Sequence, residues 1–267
     1  MLDARYITVE IGKTKILHGV SFQAKPGEVS AIVGPNGSGK TTLMKAITGE
    51  LPYTGTVMLN GQDPTRMKPW QLASIRAVLP QASVLAFPFT VIEVVRIGLR
   101  DGIAGDQEHL AMEALRHVGL AHFANRFFQE LSGGQQQRAQ LARVLAQVWQ
   151  PVVNNVPRWL FLDEPVSSLD IGHQLDVMSM AQDYARAGGG VVAVMHDLNL
   201  TALFADHIAI LSDGVCAAAG PPEQVMTDVN LTQVYGCTLR VNVAPGAGTT
   251  YLLPHMAGKI TAQAAQN

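Results

Sequence analysis

The sequence predicts an α/β fold with a mostly parallel central sheet, an N-terminal antiparallel sheet and an inserted helical region. Short apolar runs of strand length alternate with segments of helical spacing from residue 156 onward. The first segments of the chain instead alternate apolar and polar residues, which is typical of antiparallel strands buried on one face. Between residues 82 and 155 the spacing is mainly helical. These three patterns together predict the fold class.

The N-terminal elements are strands joined to one strand–loop–helix unit. The alternating segments "YITVEI" and "ILHGVSFQA" predict two strands, and "KPGE" predicts a turn. "VSAIVG" is a short buried strand, and the helix predicted over "TLMKAITG" ends at Gly49. "GTVMLNG" and "SIRAVLPQ" predict two further strands.

The middle of the chain predicts three helices, in "VIEVVRIGLR", "DQEHLAMEALRHVGL" and "GQQQRAQLARVLAQVW". "VWQPVVNNVPRW" breaks this pattern with two prolines and two asparagines, which predicts a surface loop. The α/β alternation then resumes with the strand in "WLFLDEP", a helix over 171–187, the strand in "GGVVAVMHD", a helix from Leu198 and the strand in "HIAILSDG".

We therefore predict one domain over residues 1–235, with a core made of 1–81 and 156–235. Residues 82–155 form an inserted helical subdomain with its trailing loop. Residues 236–267 form a C-terminal tail rich in Gly, Ala and Gln, and we expect its last ten residues to be poorly ordered.

Composition excludes several classes of protein. The 267 residues are 48% hydrophobic and carry a formal net charge of −2, which does not suit a general nucleic-acid binder. The scattered Cys216 and Cys237 lack metal-binding spacing and fit a reducing compartment. We see no signal peptide and no run of about 18 apolar residues that predicts a membrane span. The expected location is the cytosol, or a membrane surface through another protein.

The segment "GPNGSGKT", residues 34–41, follows a strand and precedes a helix. Its glycines let successive backbone N–H groups surround phosphate oxygens, Lys40 reaches the β- and γ-phosphates, and the Thr41 hydroxyl binds Mg²⁺. This pattern predicts a P-loop NTPase with a RecA-like core. The predicted nucleotide-binding residues of this loop are Gly34, Pro35, Asn36, Gly37, Ser38, Gly39, Lys40, Thr41 and Thr42.

Two carboxylates emerge at the end of the buried strand in "WLFLDE". Asp163 is predicted to hold Mg²⁺, through water. Glu164 is predicted to orient and polarise the attacking water, a role that phosphoryl transfer needs.

A second anion site is predicted at "LSGGQ", where a helix begins directly after a serine and two glycines. Its donors are the hydroxyl of Ser132, the N–H groups of Gly133 and Gly134, and the helix N-terminus that includes Gln135. Because this site lies on the helical insertion, one chain has difficulty aiming it at its own nucleotide. Two chains placed head to tail can each aim it at the partner's nucleotide.

The ordered set of motifs resembles the ATP-binding subunits of ABC transporters over about residues 3–235. The resemblance implies that Gln81 senses Mg²⁺ and couples to the permease, that Asp170 lies in a loop crossing the dimer interface, and that His196 contacts the γ-phosphate. The motifs that carry it are Walker A at 34–41, the Q-loop at Gln81, the signature at 131–135, Walker B at 159–164, the D-loop "SSLD" at 167–170 and His196 in "VMHD".

The sequence departs from the family pattern at two places. Ile11 stands where the family usually has an aromatic residue that stacks on adenine, and the nearby Tyr6 is expected to be packed within a strand. Val166 replaces a common threonine, with little consequence because the β-branched shape is kept.

The run "LARVLAQVW…PRWLFLDEP" resembles hemin-import ATP-binding proteins. This resemblance implies ATP and Mg²⁺ as cofactors, and as partners a second copy of the chain, two transmembrane permease subunits and, indirectly, a periplasmic heme-binding protein. It implies a peripheral location on the cytoplasmic face of the bacterial inner membrane, with no nucleic acid bound. No heme chemistry can be read from the eight dispersed histidines.

Other functions remain open at this point. The relatives serving ferric siderophores or vitamin B12 are similar to this group. A non-transport ABC ATPase acting on DNA needs long coiled-coil arms, and the insertion lacks sustained heptads. One acting on ribosomes carries two cassettes in a chain. An interaction protein with a degenerate site is disfavoured because Lys40, Asp163, Glu164 and His196 are all present.

Overall fold

The computed structural model describes residues 1–81, 87–101, 107–246 and 248–256. The strands found in these ranges are β1 (Leu2–Ile11), β2 (Thr14–Ala24), β3 (Val29–Val33), β4 (Thr54–Leu59), β5 (Arg76–Leu79), β6 (Val152–Val153), β7 (Val156–Pro157), β8 (Trp159–Asp163), β9 (Gly190–Val194), β10 (His207–Ser212) and β11 (Val215–Gly220). The α-helices are α1 (Lys40–Ile47), α2 (Pro69–Ile75), α3 (Val91–Asp101), α4 (His109–His117), α5 (Gly133–Gln147), α6 (Ile171–Arg186), α7 (Leu198–Phe204), α8 (Pro222–Val225) and α9 (Asp228–Tyr235).

The central sheet has six strands in the order β11-β10-β3-β9-β8-β5. Every neighbouring pair is parallel except β10 and β11. Strands β3, β8 and β9 are buried at every residue because apolar side chains cover both faces of the sheet. Burial on both faces explains why these strands are continuous apolar runs in the sequence. The predicted mostly parallel sheet is confirmed.

The N-terminal sheet is antiparallel, with strand order β2-β1-β4. It shares one apolar core with the central sheet and with α1, in which Ile7 and Leu17 join Ile32, Leu43 and Phe161. Strand β2 also lies against the loop between β3 and α1, because a Cβ at Gly39 would collide with the side chain of Leu17. The predicted N-terminal antiparallel sheet is confirmed.

The three predicted helices of the insertion are present as α3, α4 and α5, which pack on one another. Apolar side chains such as Val94, Leu115 and Val144 join the core on the other face of the central sheet. Helix α5 begins after Ser132, whose hydroxyl accepts a hydrogen bond from Gln135 N while the Gln135 side chain accepts one from Ser132 N. This reciprocal capping explains why the helix starts at the second glycine-rich motif.

One local prediction is wrong. The expected strand "SIRAVLPQ" is partly helical, since residues 74 and 75 belong to α2. This helix starts at Pro69 and is capped at its N-terminus by a hydrogen bond from Lys68 N to the Gln71 side chain. The strand β5 therefore begins only at Arg76. Proline at the first helical position favours this helix, a signal that the strand pattern of the following residues hid.

The predicted surface loop after α5 contains a short hairpin, β6–β7. Asn154 and Asn155 connect its strands with φ values of 51° and 61°. Two left-handed residues are what a two-residue type I′ hairpin turn requires, and asparagine adopts that conformation readily.

Helix α9 ends at Tyr235 and is followed by Gly236, whose φ of 68° gives a left-handed cap. The last ten residues, for which we expect poor order, lie outside the described residues. Among the helices described, none is both long enough and apolar enough to cross a membrane.

Candidate nucleotide-binding site

The loop from Gly34 to Gly39 joins β3 to α1 and curls back on itself. Gly34, Gly37 and Gly39 have φ values of 147°, 81° and 97°, a backbone region that favours glycine. A Cβ at Gly34 would also collide with the carbonyl oxygen of Leu211. The glycines are therefore needed for the course of the loop.

The Lys40 side chain is buried, with 5% of its surface exposed. Its Nζ donates hydrogen bonds to the carbonyl oxygens of Gly34 at 2.9 Å and Pro35 at 3.0 Å. Burial lowers the pKa of the Lys40 ammonium, and the charges of Glu164 and Asp163 only partly offset this effect. A buried cation whose described hydrogen bonds go only to neutral carbonyls fits a site that takes an anion.

Asp163 lies at the end of β8, beside the start of α1. Its Oδ1 accepts a hydrogen bond from Thr41 Oγ1 at 3.2 Å. Burial raises the pKa of the Asp163 carboxyl, the hydrogen bond from Thr41 lowers it in part, and the neighbouring Glu164 charge raises it further. A hydroxyl and a carboxylate side by side are oxygen ligands of the kind that Mg²⁺ prefers, so Thr41 and Asp163 would fit this ion.

Glu164 follows Asp163 and has a φ of 54°, in the left-handed region. Its side chain is 13% exposed, and its Oε1 lies 2.5 Å from Nε2 of His196. His196 follows β9, the neighbour of β8, so the parallel register brings the two side chains to the same edge of the sheet. A carboxylate held by an imidazole next to the phosphate loop can accept a proton from water.

These elements enclose a cavity of about 840 Å³, within the size range of small-molecule sites. The predicted residues that line it are Asn36, Gly37, Gly39, Lys40, Thr41, Thr42, Gln81, Glu164 and His196. Further residues that line the cavity, and that were not predicted to bind nucleotide, are Ile16, Val166, Ser167, Gln174, Val194, Met195 and Asp197. Ile16 and Gln174 carry no motif signal, since only the packing of β2 and α6 brings them there.

The signature residues lie elsewhere on the chain's surface. Of the described residues that line the cavity, none belongs to the set Ser132, Gly133, Gly134 and Gln135. A Cβ on Gly134 would approach the carbonyl oxygen of Ser168 to 3.0 Å, so the signature packs beside the D-loop of its own chain. Asp170 also lies outside the cavity lining, where its carboxylate caps α6 by accepting from His173 N at 3.0 Å.

Among the described residues, no aromatic side chain of the N-terminal sheet lines the cavity. Tyr6 is 75% exposed, so the expectation that it is packed within the strand is wrong. Its φ of 53° lies at a break in the β1–β2 register between Ala4 and Ile7, which turns the side chain outward. Ile11 is 51% exposed and does not line the cavity.

A sequence profile of the ABC transporter family matches residues 17–167, more than half of the chain. The chain belongs to this family. Its relatives include a hemin import ATP-binding protein of Roseobacter denitrificans, 68% identical over 97% of this chain and 99% of that protein. Another relative, of the same name, from Jannaschia sp. (strain CCS1), is 65% identical over 96% of this chain and 95% of that protein.

Solved structures of ABC cassettes resemble this ABC ATPase. A dimeric ATP-binding cassette, MJ0796, in a post-hydrolysis state with ADP and Pi, is 28% identical with a TM-score of 0.71. The match covers 83% of this chain and 99% of that cassette. The ADP conformation of the cassette MJ1267 is 26% identical with a TM-score of 0.70, over 88% and 98% of the two chains. The ABC ATPase therefore has the P-loop NTPase fold that the sequence predicts, and it is an ATP-hydrolysing enzyme.

Proposed function

We propose that this chain is the ATP-hydrolysing subunit of an importer for hemin. The observation that carries the proposal is identity of 68% and 65%, over nearly the whole chain, to proteins named for hemin import. The permease is a separate membrane protein with two subunits, and a periplasmic heme-binding protein delivers the substrate to it. The ATPase subunit lies against the permease on the cytoplasmic face of the bacterial inner membrane.

The nucleotide site acts through residues with distinct roles. The loop N–H groups and Lys40 hold the β- and γ-phosphates, while Thr41, Asp163 and Gln81 hold Mg²⁺. When bound, Mg²⁺ supplies positive charge that stabilises the developing charge on the transferred phosphoryl oxygens. Glu164 accepts a proton from the attacking water. His196 orients Glu164 through their 2.5 Å contact and reaches the γ-phosphate.

The active form is a homodimer that closes head to tail around two ATP molecules. Support comes from the separation of Ser132, Gly133, Gly134 and Gln135 from the cavity of their own chain, and from the dimeric state of related cassettes. In the dimer each signature covers the γ-phosphate bound by the partner chain, and Asp170 lies at the interface. An isologous pair makes both contacts at once.

The test is ATP hydrolysis by the complex of chain, permease and binding protein in lipid vesicles, with and without hemin. We expect hemin to stimulate hydrolysis. Stimulation by a ferric siderophore or vitamin B12, with no response to hemin, would instead assign the chain to the related importers. Co-purification with DNA or ribosomes, and with no polytopic membrane protein, would contradict a transport function altogether.

A further inference from the structure

The side chain of Gln137 joins the signature helix to the backbone of Glu164. Gln137 lies in the second turn of α5, and its Nε2 donates a hydrogen bond to the Glu164 carbonyl oxygen at 2.9 Å. None of the motif roles described above uses this contact. It is a link within one chain between the helix that Ser132 caps and the backbone of Glu164.

The backbone of Glu164 needs to be held in place. A φ of 54° is uncommon for a residue with a side chain; this conformation costs free energy and persists only where the surroundings impose it. Its N–H donates to the Val194 carbonyl at 3.2 Å, and its carbonyl accepts from the Ser167 hydroxyl at 3.2 Å as well as from Gln137. Ser167 lies in the same turn, so Gln137 supplies the anchor to that carbonyl from a separate element.

The amide of Gln137 is asymmetric in its contacts. Within the described structure its Oε1 is buried and has no hydrogen-bond partner, while its Nε2 donates to Glu164. An unmatched buried acceptor is unfavourable, and an apolar side chain would avoid it. The hydrogen bond that Nε2 donates to Glu164 is therefore the contact that explains a glutamine, rather than an apolar residue, at this position.

We propose that Gln137 is a positioning residue for Glu164, which it holds at the angle that hydrolysis requires. The inference rests on the proposed role of Glu164 as the acceptor of the water proton. Because Gln137 and Ser132 belong to the same helix end, a displacement of the signature also displaces the anchor of Glu164.

The experiment compares Gln137→Leu with Gln147→Leu in the purified full-length chain. Gln147 is a matched control, since it lies on the same helix and donates from Nε2 to the carbonyl oxygens of Ala73 and Arg76 at 2.9 and 3.0 Å. We expect Gln137→Leu to lower kcat by about ten- to a hundredfold, with an unchanged KM for ATP, because a small misplacement of a catalytic group is costly. Gln147→Leu should lower the thermal unfolding temperature at least as much as Gln137→Leu does, and it should leave kcat unchanged. Equal kcat for Gln137→Leu and wild type, or equal kcat losses in both variants, would overturn the proposal.

A double substitution separates this inference from the role of Glu164. If Gln137 acts through Glu164, Gln137→Leu has no further effect on the residual hydrolysis of Glu164→Gln. A further tenfold loss would show that Gln137 acts by another route and overturn the inference alone. Wild-type turnover by Glu164→Gln would overturn the proposed role of Glu164 and the inference with it. If Gln137→Leu does not fold, Gln137→Glu replaces it in the test. Glutamate has the same side-chain length as glutamine but offers only acceptor oxygens at neutral pH, so we expect the same loss of kcat.

Discussion

Replacing Glu164 with Gln removes a proton acceptor and changes little else in the structure. The two side chains have nearly the same volume, and an amide still meets His196 Nε2, which lies 2.5 Å from Oε1. Loss of a general base lowers turnover by about 10²–10⁴, or about 3–5 kcal/mol of activation free energy. ATP affinity is retained because the phosphate loop and Lys40 are untouched. The free energy of unfolding should change little, since the Glu164 charge disfavours ionisation of the buried Asp163 but favours the charged form of the buried Lys40.

The assay measures phosphate release at saturating ATP, nucleotide binding by equilibrium fluorescence, and thermal unfolding. Glu223→Gln neutralises an exposed carboxylate in α8 and serves as the control for a change in net charge. We expect Glu164→Gln to bind ATP and to accumulate as a closed dimer. Hydrolysis at near the wild-type rate would refute the assignment of Glu164 as the base.

Three further predictions follow from the same site. Mixing Ser132→Arg with Lys40→Ala chains should restore one intact composite site per mixed dimer, measured as one tightly bound ATP, whereas a signature acting within its own chain predicts none. Because burial raises the pKa of Asp163, the folded chain keeps that proton to higher pH than the unfolded chain, so stability without nucleotide falls as pH rises through the interval between the two pKa values. Asp163→Asn should therefore stabilise the nucleotide-free chain above that interval, as measured by thermal unfolding. It should also remove the added stabilisation by Mg²⁺ with ATP. Equal stability of the variant and the wild type at every pH would contradict this prediction. Stacking of a base on an aromatic ring is worth about 1–3 kcal/mol, and no such ring near Ile11 lines the described part of the cavity. We therefore expect only a weak preference for ATP over GTP in competition binding, and no change in nucleotide affinity in Tyr6→Ala. A strong preference for ATP that is lost in Tyr6→Ala would contradict this prediction.

Local spacing is the part of this site that could be predicted. Gly34, Lys40 and Thr41 lie within one strand–loop–helix unit, so their relative positions depend on backbone geometry that a short segment determines by itself. The capping of α5 by Ser132 and Gln135 is equally local. Continuous apolar runs likewise predicted the buried parallel strands, because burial on both faces leaves no polar positions.

Contacts between distant segments depended on the tertiary structure. Thr41 and Asp163 are separated by 122 residues, Glu164 and His196 by 32, and Gln137 and Glu164 by 27. Their distances follow from the register of β8 with β9 and from the packing of α1 and α5, which no single segment encodes. Tyr6 faces outward for a similar reason, since the break in the β1–β2 pairing that exposes it belongs to two strands at once. The sequence by itself determined which groups are candidates for binding phosphate and accepting a proton. Only the packed sheet decided which of these groups meet, because pairing between strands is a property of the whole core.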